Sequence, residues 1–129
     1  MSEEEKTDKE FVFIITRSHD SVDVVAGALQ LAVNMRAYGT VVDFFLMDKA
    51  VLLAKAGFAE TLIWQQKDQF SPVSDLMKTL AEDFDAKFYI CASCVKHYEL
   101  DKAVLIKNAE IKPGSFLGEM LLSRQGLTF

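Results

Sequence analysis

Phe11-Val12-Phe13-Ile14-Ile15-Thr16 is an unbroken run of apolar, aromatic and β-branched side chains. A strand with one wet face alternates polar and apolar residues, so a run without alternation reads as a strand buried on both faces. Such a strand needs a covering layer on each side, and the residues that follow supply one. Arg17 to Ser21 is polar and ends in residue types that cap helices. From Val22 to Tyr38 the apolar residues Val22, Val25, Leu29, Ala32, Val33 and Met35 fall at helical spacing. Gly39 suits the position just past a helix end. Val41-Val42-Asp43-Phe44-Phe45-Leu46 then repeats the buried-strand pattern.

The rest of the chain continues the alternation. Asp48 is placed to cap a short helix reaching Ala56 and stopped by Gly57. Thr61 to Trp64 reads either as a short strand or as a partner-facing loop. Gln65 to Ser71 is polar loop, and the flanking aromatics Trp64 and Phe70 are candidates for an oligomer interface. Pro72 fits a first helical turn, followed by a face of Val73, Leu76, Met77, Leu80 and Phe84. Lys87-Phe88-Tyr89-Ile90-Cys91 is a third strand, and Tyr98 to Asn108 a helical or partly helical crossover. Pro113-Gly114 breaks the chain. Ser115 can cap a helix from Phe116 to Ser123, ended by Gly126, and Leu127-Thr128-Phe129 closes as a short strand. Strands alternating with helices predict an α/β fold, a three-layer α/β/α arrangement around a mostly parallel sheet with right-handed crossovers. Residues 11–129 read as one domain. Residues 1–10, with five acidic side chains against two lysines, read as a mobile acidic tail.

Composition narrows the function. A chain of 129 residues, 50% hydrophobic, suits one domain that buries roughly two-thirds of its unfolded surface without disulfides or a structural metal. The net charge of −5 comes with no basic stripe, so nucleic acid is not an expected partner. No apolar run approaches the ~20 residues that span a bilayer, and the acidic start is unlike a signal peptide, so no membrane association and a cytoplasmic location are expected. There is no Gly-rich phosphate loop, nucleophile elbow or metalloprotease motif. The two cysteines sit together in Cys91-Ala92-Ser93-Cys94, with one histidine, His97, nearby. A structural zinc site usually takes four ligands, so neither a metal nor another cofactor is expected.

The chemistry is expected at the carboxyl ends of the strands, where open parallel sheets bind ligands. Arg17 to Ser21, Met47 to Lys49 and Cys91 to His97 should meet there. Cys91 falls at a strand end with Cys94 one turn later. The thiolate, not the thiol, is the nucleophile, and Lys96 and His97 add positive charge nearby. Cys91 is therefore expected to emerge, as an anion, into a solvent-reachable cleft and to attack sulfur. The competing reading is a small buried core residue. The CxxC spacing also permits a redox disulfide, although in thioredoxin-like folds that motif follows the first strand rather than a late one. Ser18 and His19, beside Asp20, are candidates for anion binding or proton relay.

The segment Tyr89-Ile90-Cys91-Ala92 resembles the active-cysteine strand of the DsrE/TusD sulfur-relay (DsrE/DsrF-like) family. Ile111-Lys112-Pro113-Gly114-Ser115-Phe116-Leu117-Gly118 resembles its Pro-Gly-Phe turn into a helix, and the final Phe129 its short closing strand. The resemblance spans roughly residues 11–129. It implies a small cytoplasmic α/β protein that assembles into trimers or hexamers. It further implies that Cys91 carries sulfur as a persulfide or thiosulfonate, received from one sulfur-carrier protein and passed to another. The sequence departs from relay members after the cysteine, where Lys96-His97-Tyr98 replaces an Arg-Gly pair, and Cys94 lies outside the family pattern. A non-catalytic oligomeric binding module on the same fold is the alternative.

Overall fold

The computed structural model describes residues 9–63 and 71–129. Trp64, Phe70 and most of the acidic tail lie outside them. Five strands, β1 (Glu10–Ile15), β2 (Val41–Leu46), β3 (Phe88–Cys91), β4 (Ala109–Lys112) and β5 (Gln125–Thr128), form one all-parallel sheet in the order β4-β3-β2-β1-β5. Helices α1 (Val22–Ala37), α2 (Val73–Asp83), α3 (Ala92–His97) and α4 (Gly114–Met120) cover it. The result is the three-layer α/β/α arrangement that the strand patterns imply.

Topology decides which helix covers which face. The steps β1 to β2 to β3 to β4 all run in one direction, so right-handed crossovers put α1, α2 and α3 on the same face. The step from β4 to β5 runs back across the sheet and places α4 alone on the other. Packing agrees: α1 contacts α2, while Phe116 of α4 meets Tyr89 of β3 edge-on at 4.7 Å between ring centroids.

The two faces are unequally filled. Phe13, Ile15, Val42, Phe44, Leu46, Phe88 and Ile90, which alternate onto the first face, are completely buried. Phe44 stacks on Phe88 at 4.8 Å and meets Phe13 edge-on at 5.8 Å, so one aromatic column ties three neighbouring strands. On the α4 face Val12 and Phe45 are also completely buried, but Ile14 and Tyr89 are only half-buried and Glu110 is exposed.

The α4 face also holds a charge cluster. Asp43 points there from the central strand, with its side chain 8% exposed. It accepts hydrogen bonds from Arg36 of α1 at 3.1 Å, from Arg124 at 2.8 Å and from the Lys87 backbone N–H at 2.8 Å. Arg124 also pairs with Glu10 at 3.4 Å. One carboxylate thereby joins β2 to α1, to the residue before β3 and to the connection leading into β5.

Several boundaries differ from the sequence reading. The segment 98–108, expected as a helical crossover, is mostly turns and gives way to β4, whose Ala-Glu-Ile-Lys sequence has no buried-strand signature because an edge strand carries charge. Gly126 does not end α4. It lies inside β5, where a Cβ would come within 2.7 Å of the Leu121 side chain. Ser115 does not cap α4: Pro113 holds the cap position and no side chain bonds there. Residues 48–54 form a 3-10 helix rather than an α-helix, and Asp48 is its first residue rather than its cap.

Removing Asp43 should test the cluster. Asp43→Ala leaves two largely buried guanidinium groups without their shared partner, which is expected to cost about 3 kcal/mol. Urea unfolding should show a lower midpoint with an unchanged slope.

Candidate functional site

Strand β3 reads Phe-Tyr-Ile-Cys and ends without a loop: Cys91 is both its last residue and the N-cap of α3. Its backbone is still extended, at φ −64° and ψ 123°. Ile15, Leu46 and Ile90 lie side by side in register, so β1, β2 and β3 end at one level. The loops beyond them form one rim, and the chain 47–49 meets α3 there: the Asp48 backbone N–H donates to Cys94 Sγ at 3.2 Å. Asp48 holds φ 52°, the left-handed region that asparagine and aspartate enter more readily than most residues. Lys49 pairs with Asp20 of the first loop at 3.2 Å, which joins the third segment to the same rim.

Cys91 lies beneath this rim rather than open to it. The residue is 5% exposed, with Ser93 Oγ 3.3 Å from its sulfur. Among the described residues Cys91 is not exposed as expected, and α3 begins immediately after it. Cys94 is half-buried. Both thiols are free.

The two sulfurs are differentiated. Burial pushes the Cys91 thiol up, but donors from the Ser93 hydroxyl, the Cys94 backbone N–H, the Cys94 thiol and the Ser93 backbone N–H together outweigh it, and Cys91 ionises below the ordinary thiol range. Burial pushes Cys94 up as well. The Asp48 N–H opposes that shift, but the Cys91 sulfur and the Asp48 carboxylate add to it, so Cys94 ionises above the ordinary range. The arrangement is a thiol that ionises more readily beside one that ionises less readily, with the Cys91 anion favoured by hydrogen-bond donors rather than by cations.

The other sequence candidates are scattered around this pair. Lys96 and His97 are exposed at the far end of α3, and His97 packs its ring edge-on against Tyr98. His19 is exposed and lies edge-on to Phe58 at 6.2 Å. Ser18 is fully buried: its N–H donates to Asp20 Oδ1 at 2.9 Å, and its hydroxyl has no hydrogen-bond partner among the described residues. Three neighbours of the thiols were not singled out from the sequence. Ser93 stands inside the CxxC and could have been, since a hydroxyl one residue into the turn is a natural donor. Asp48 acts through its backbone, which leaves no compositional signal. Lys112 is the register partner of Cys91, with its ammonium 4.9 Å from the Phe116 ring centre, and is visible only once β4 is placed. Among the described residues no cluster of three or more His, Cys, Asp or Glu could hold a metal, and no helix is long and apolar enough to cross a membrane. A hollow of about 170 Å³ lined by Ala59, Met77, Ala81 and Ile106 lies away from both thiols.

The model of the DsrE/DsrF-like family matches residues 9–128. The chain belongs to the DsrE/DsrF-like family. Among solved structures it is similar to the crystal structure of the ychN protein from E. coli, with a TM-score of 0.77 and 20% identity, covering 95% of this chain and 100% of that one. At that identity the likeness establishes the shared fold. No curated protein matches the sequence. Membership of this family suggests a sulfur-relay-related function.

The donor set makes a checkable statement about pH. Alkylation of Cys91 by iodoacetamide should titrate at lower pH than that of Cys94. Ser93→Ala and Cys94→Ala each remove a donor to the anion, so each should move the alkylation profile to higher pH. Peptide mapping at each pH separates modification of Cys91 from that of Cys94.

Proposed function

We propose that the chain carries sulfane sulfur on Cys91, taking it from one thiol-bearing carrier protein and giving it to another. The observation that supports this most directly is the donor set around the Cys91 sulfur in a chain of this family. The thiolate attacks the outer sulfur of a donor persulfide, the S–S bond of the donor breaks, and the donor leaves as a thiolate. Cys91 is then a persulfide. In the second half an acceptor thiolate attacks that outer sulfur, and the Cys91 thiolate departs onto the same hydroxyl, thiol and backbone donors that stabilised it at the start. No change of oxidation state and no cofactor enters either half.

Burial of Cys91 fits a carrier in one respect and constrains it in another. A covered persulfide is sheltered from reductants. Delivery requires the outer sulfur to be reached, and persulfidation itself extends the side chain by one S–S bond of about 2 Å. Cytoplasmic localisation is part of this reading, since the free thiols that donate and accept the sulfur are kept reduced there.

Assembly with further copies of the chain, as a trimer or hexamer, is also part of the proposal. The α4 face supports it: Leu121 and Leu122, in the turn after α4, are 43% and 88% exposed. A face that one seven-residue helix covers incompletely is the natural place for a second copy to pack.

Incubation with polysulfide followed by intact-mass measurement tests the carrier reading. Wild type and Cys94→Ser should each gain one sulfur atom, about 32 Da, while Cys91→Ser should gain none. A wild-type protein that stays unmodified, with Cys91 shown to react with iodoacetamide, would leave the fold as a non-catalytic binding module.

A further inference from the structure

The carrier reading uses Cys94 only as a hydrogen-bond donor. Its placement gives it a second capacity. Cys94 lies three residues after Cys91 on the first turn of α3, and the Asp48 N–H holds its sulfur at 3.2 Å. Residues at this helical spacing are side-chain neighbours, and both cysteines are reduced. An outside thiol has little access to the inner sulfur of a Cys91 persulfide, because Cys91 is only 5% exposed, whereas Cys94 stands on the same turn of α3.

We propose that Cys94 discharges a Cys91 persulfide within the chain, releasing hydrogen sulfide and leaving a Cys91–Cys94 disulfide. This rests on the carrier reading and deepens it. Cys94 loses its proton and its thiolate attacks Cys91 Sγ, the inner sulfur. A new S–S bond forms between the two cysteines as the bond from Cys91 Sγ to the sulfane sulfur breaks. The sulfane sulfur leaves as hydrosulfide and takes up the proton. The sulfane sulfur gains two electrons and the cysteine pair loses two, so persulfide plus thiol becomes disulfide plus hydrogen sulfide with nothing left over. Hydrosulfide is a better leaving group than an alkyl thiolate, which favours attack at the inner sulfur. An external dithiol reductant resets the pair by ordinary exchange.

The physical character of Cys94 sets the balance between delivery and discharge. A thiol that ionises reluctantly attacks slowly, so a persulfide met promptly by an acceptor is delivered, and one left waiting is reduced and released. The disulfide that remains also blocks reloading until a reductant arrives.

The test loads full-length protein with polysulfide, removes excess reagent, and follows intact mass together with released sulfide over time. Wild type should lose the added ~32 Da and settle about 2 Da below its reduced mass, with one sulfide released per disulfide, while Cys94→Ser and Cys94→Ala should retain the added sulfur at least roughly tenfold longer. Equal lifetimes in wild type and both variants would overturn the discharge step and leave the carrier reading standing. Loss of the added mass without the lower-mass product would overturn it too. Failure of every form to gain sulfur at Cys91 would remove the carrier reading and this inference with it.

Discussion

The absence of any residue between β3 and α3 is the constraint on which the site depends. A strand end fixes where Cys91 sits and which way its side chain points; a helix start fixes where the next three residues go. Because one residue serves both, the sulfur has no freedom to drift from its donors. The first amides of a helix have no partners within it, and those of Ser93 and Cys94 turn to the Cys91 sulfur. Behind the junction, Ile90, Leu46 and Ile15 are fully buried in register and hold the strand end at a fixed height. A single inserted residue at position 92 would uncouple the thiol from these donors and leave an ordinary buried cysteine.

A second consequence of topology is the inequality of the two faces. Three of the four crossovers must share one side of the sheet, so that side acquires the closed aromatic core, and the other receives only α4. The charge cluster centred on Asp43 compensates for the thin layer by tying Arg124, and through it the approach to β5, to the central strand. It does so at one end of the face and leaves Leu121 and Leu122, in the turn after α4, exposed. Cys91 alternates onto this same face beside Lys112. In the proposed assembly, the surface that gathers copies together and the surface that carries sulfur are therefore neighbours on one side of the sheet.

The sequence was most legible where burial was complete. The apolar runs at 11–16, 41–46 and 87–91 have no competing interpretation, and they became the three central strands. Cys91 was legible for the same reason, since its place follows from where the third run stops. The outer strands were harder. β4 and β5 are four residues each, with Glu110, Lys112, Gln125 and Gly126 among them, and an edge strand needs charge or irregularity to avoid pairing with other chains. The electrostatics of the site were the least legible. Lys96 and His97 are near Cys91 in sequence but leave it along the helix axis, whereas Asp48 is 46 positions from Cys94 and touches it. Proximity along the chain is a poor guide to charge at a helix start, because each residue rises about 1.5 Å along the axis and turns by 100°.

Burial and ionisation at Cys91 pull in opposite directions, and the outcome depends on the number of donors. An anionic sulfur removed from water loses hydration, which by itself would keep the thiol protonated and inert. Four hydrogen-bond donors from two adjacent residues reverse that result without a formal positive charge. Donors of this kind differ from a lysine in their consequences: they are fixed by the backbone, they do not attract solvent ions, and they serve equally whether the negative charge rests on the Cys91 sulfur or returns to it after transfer. One of the four is itself a thiol, so the group that stabilises the anion is also the group placed to react with it once the charge has moved outward to a bound sulfur. In the proposed discharge, whether Cys94 keeps its proton separates stabilisation of the Cys91 anion from attack on its sulfur.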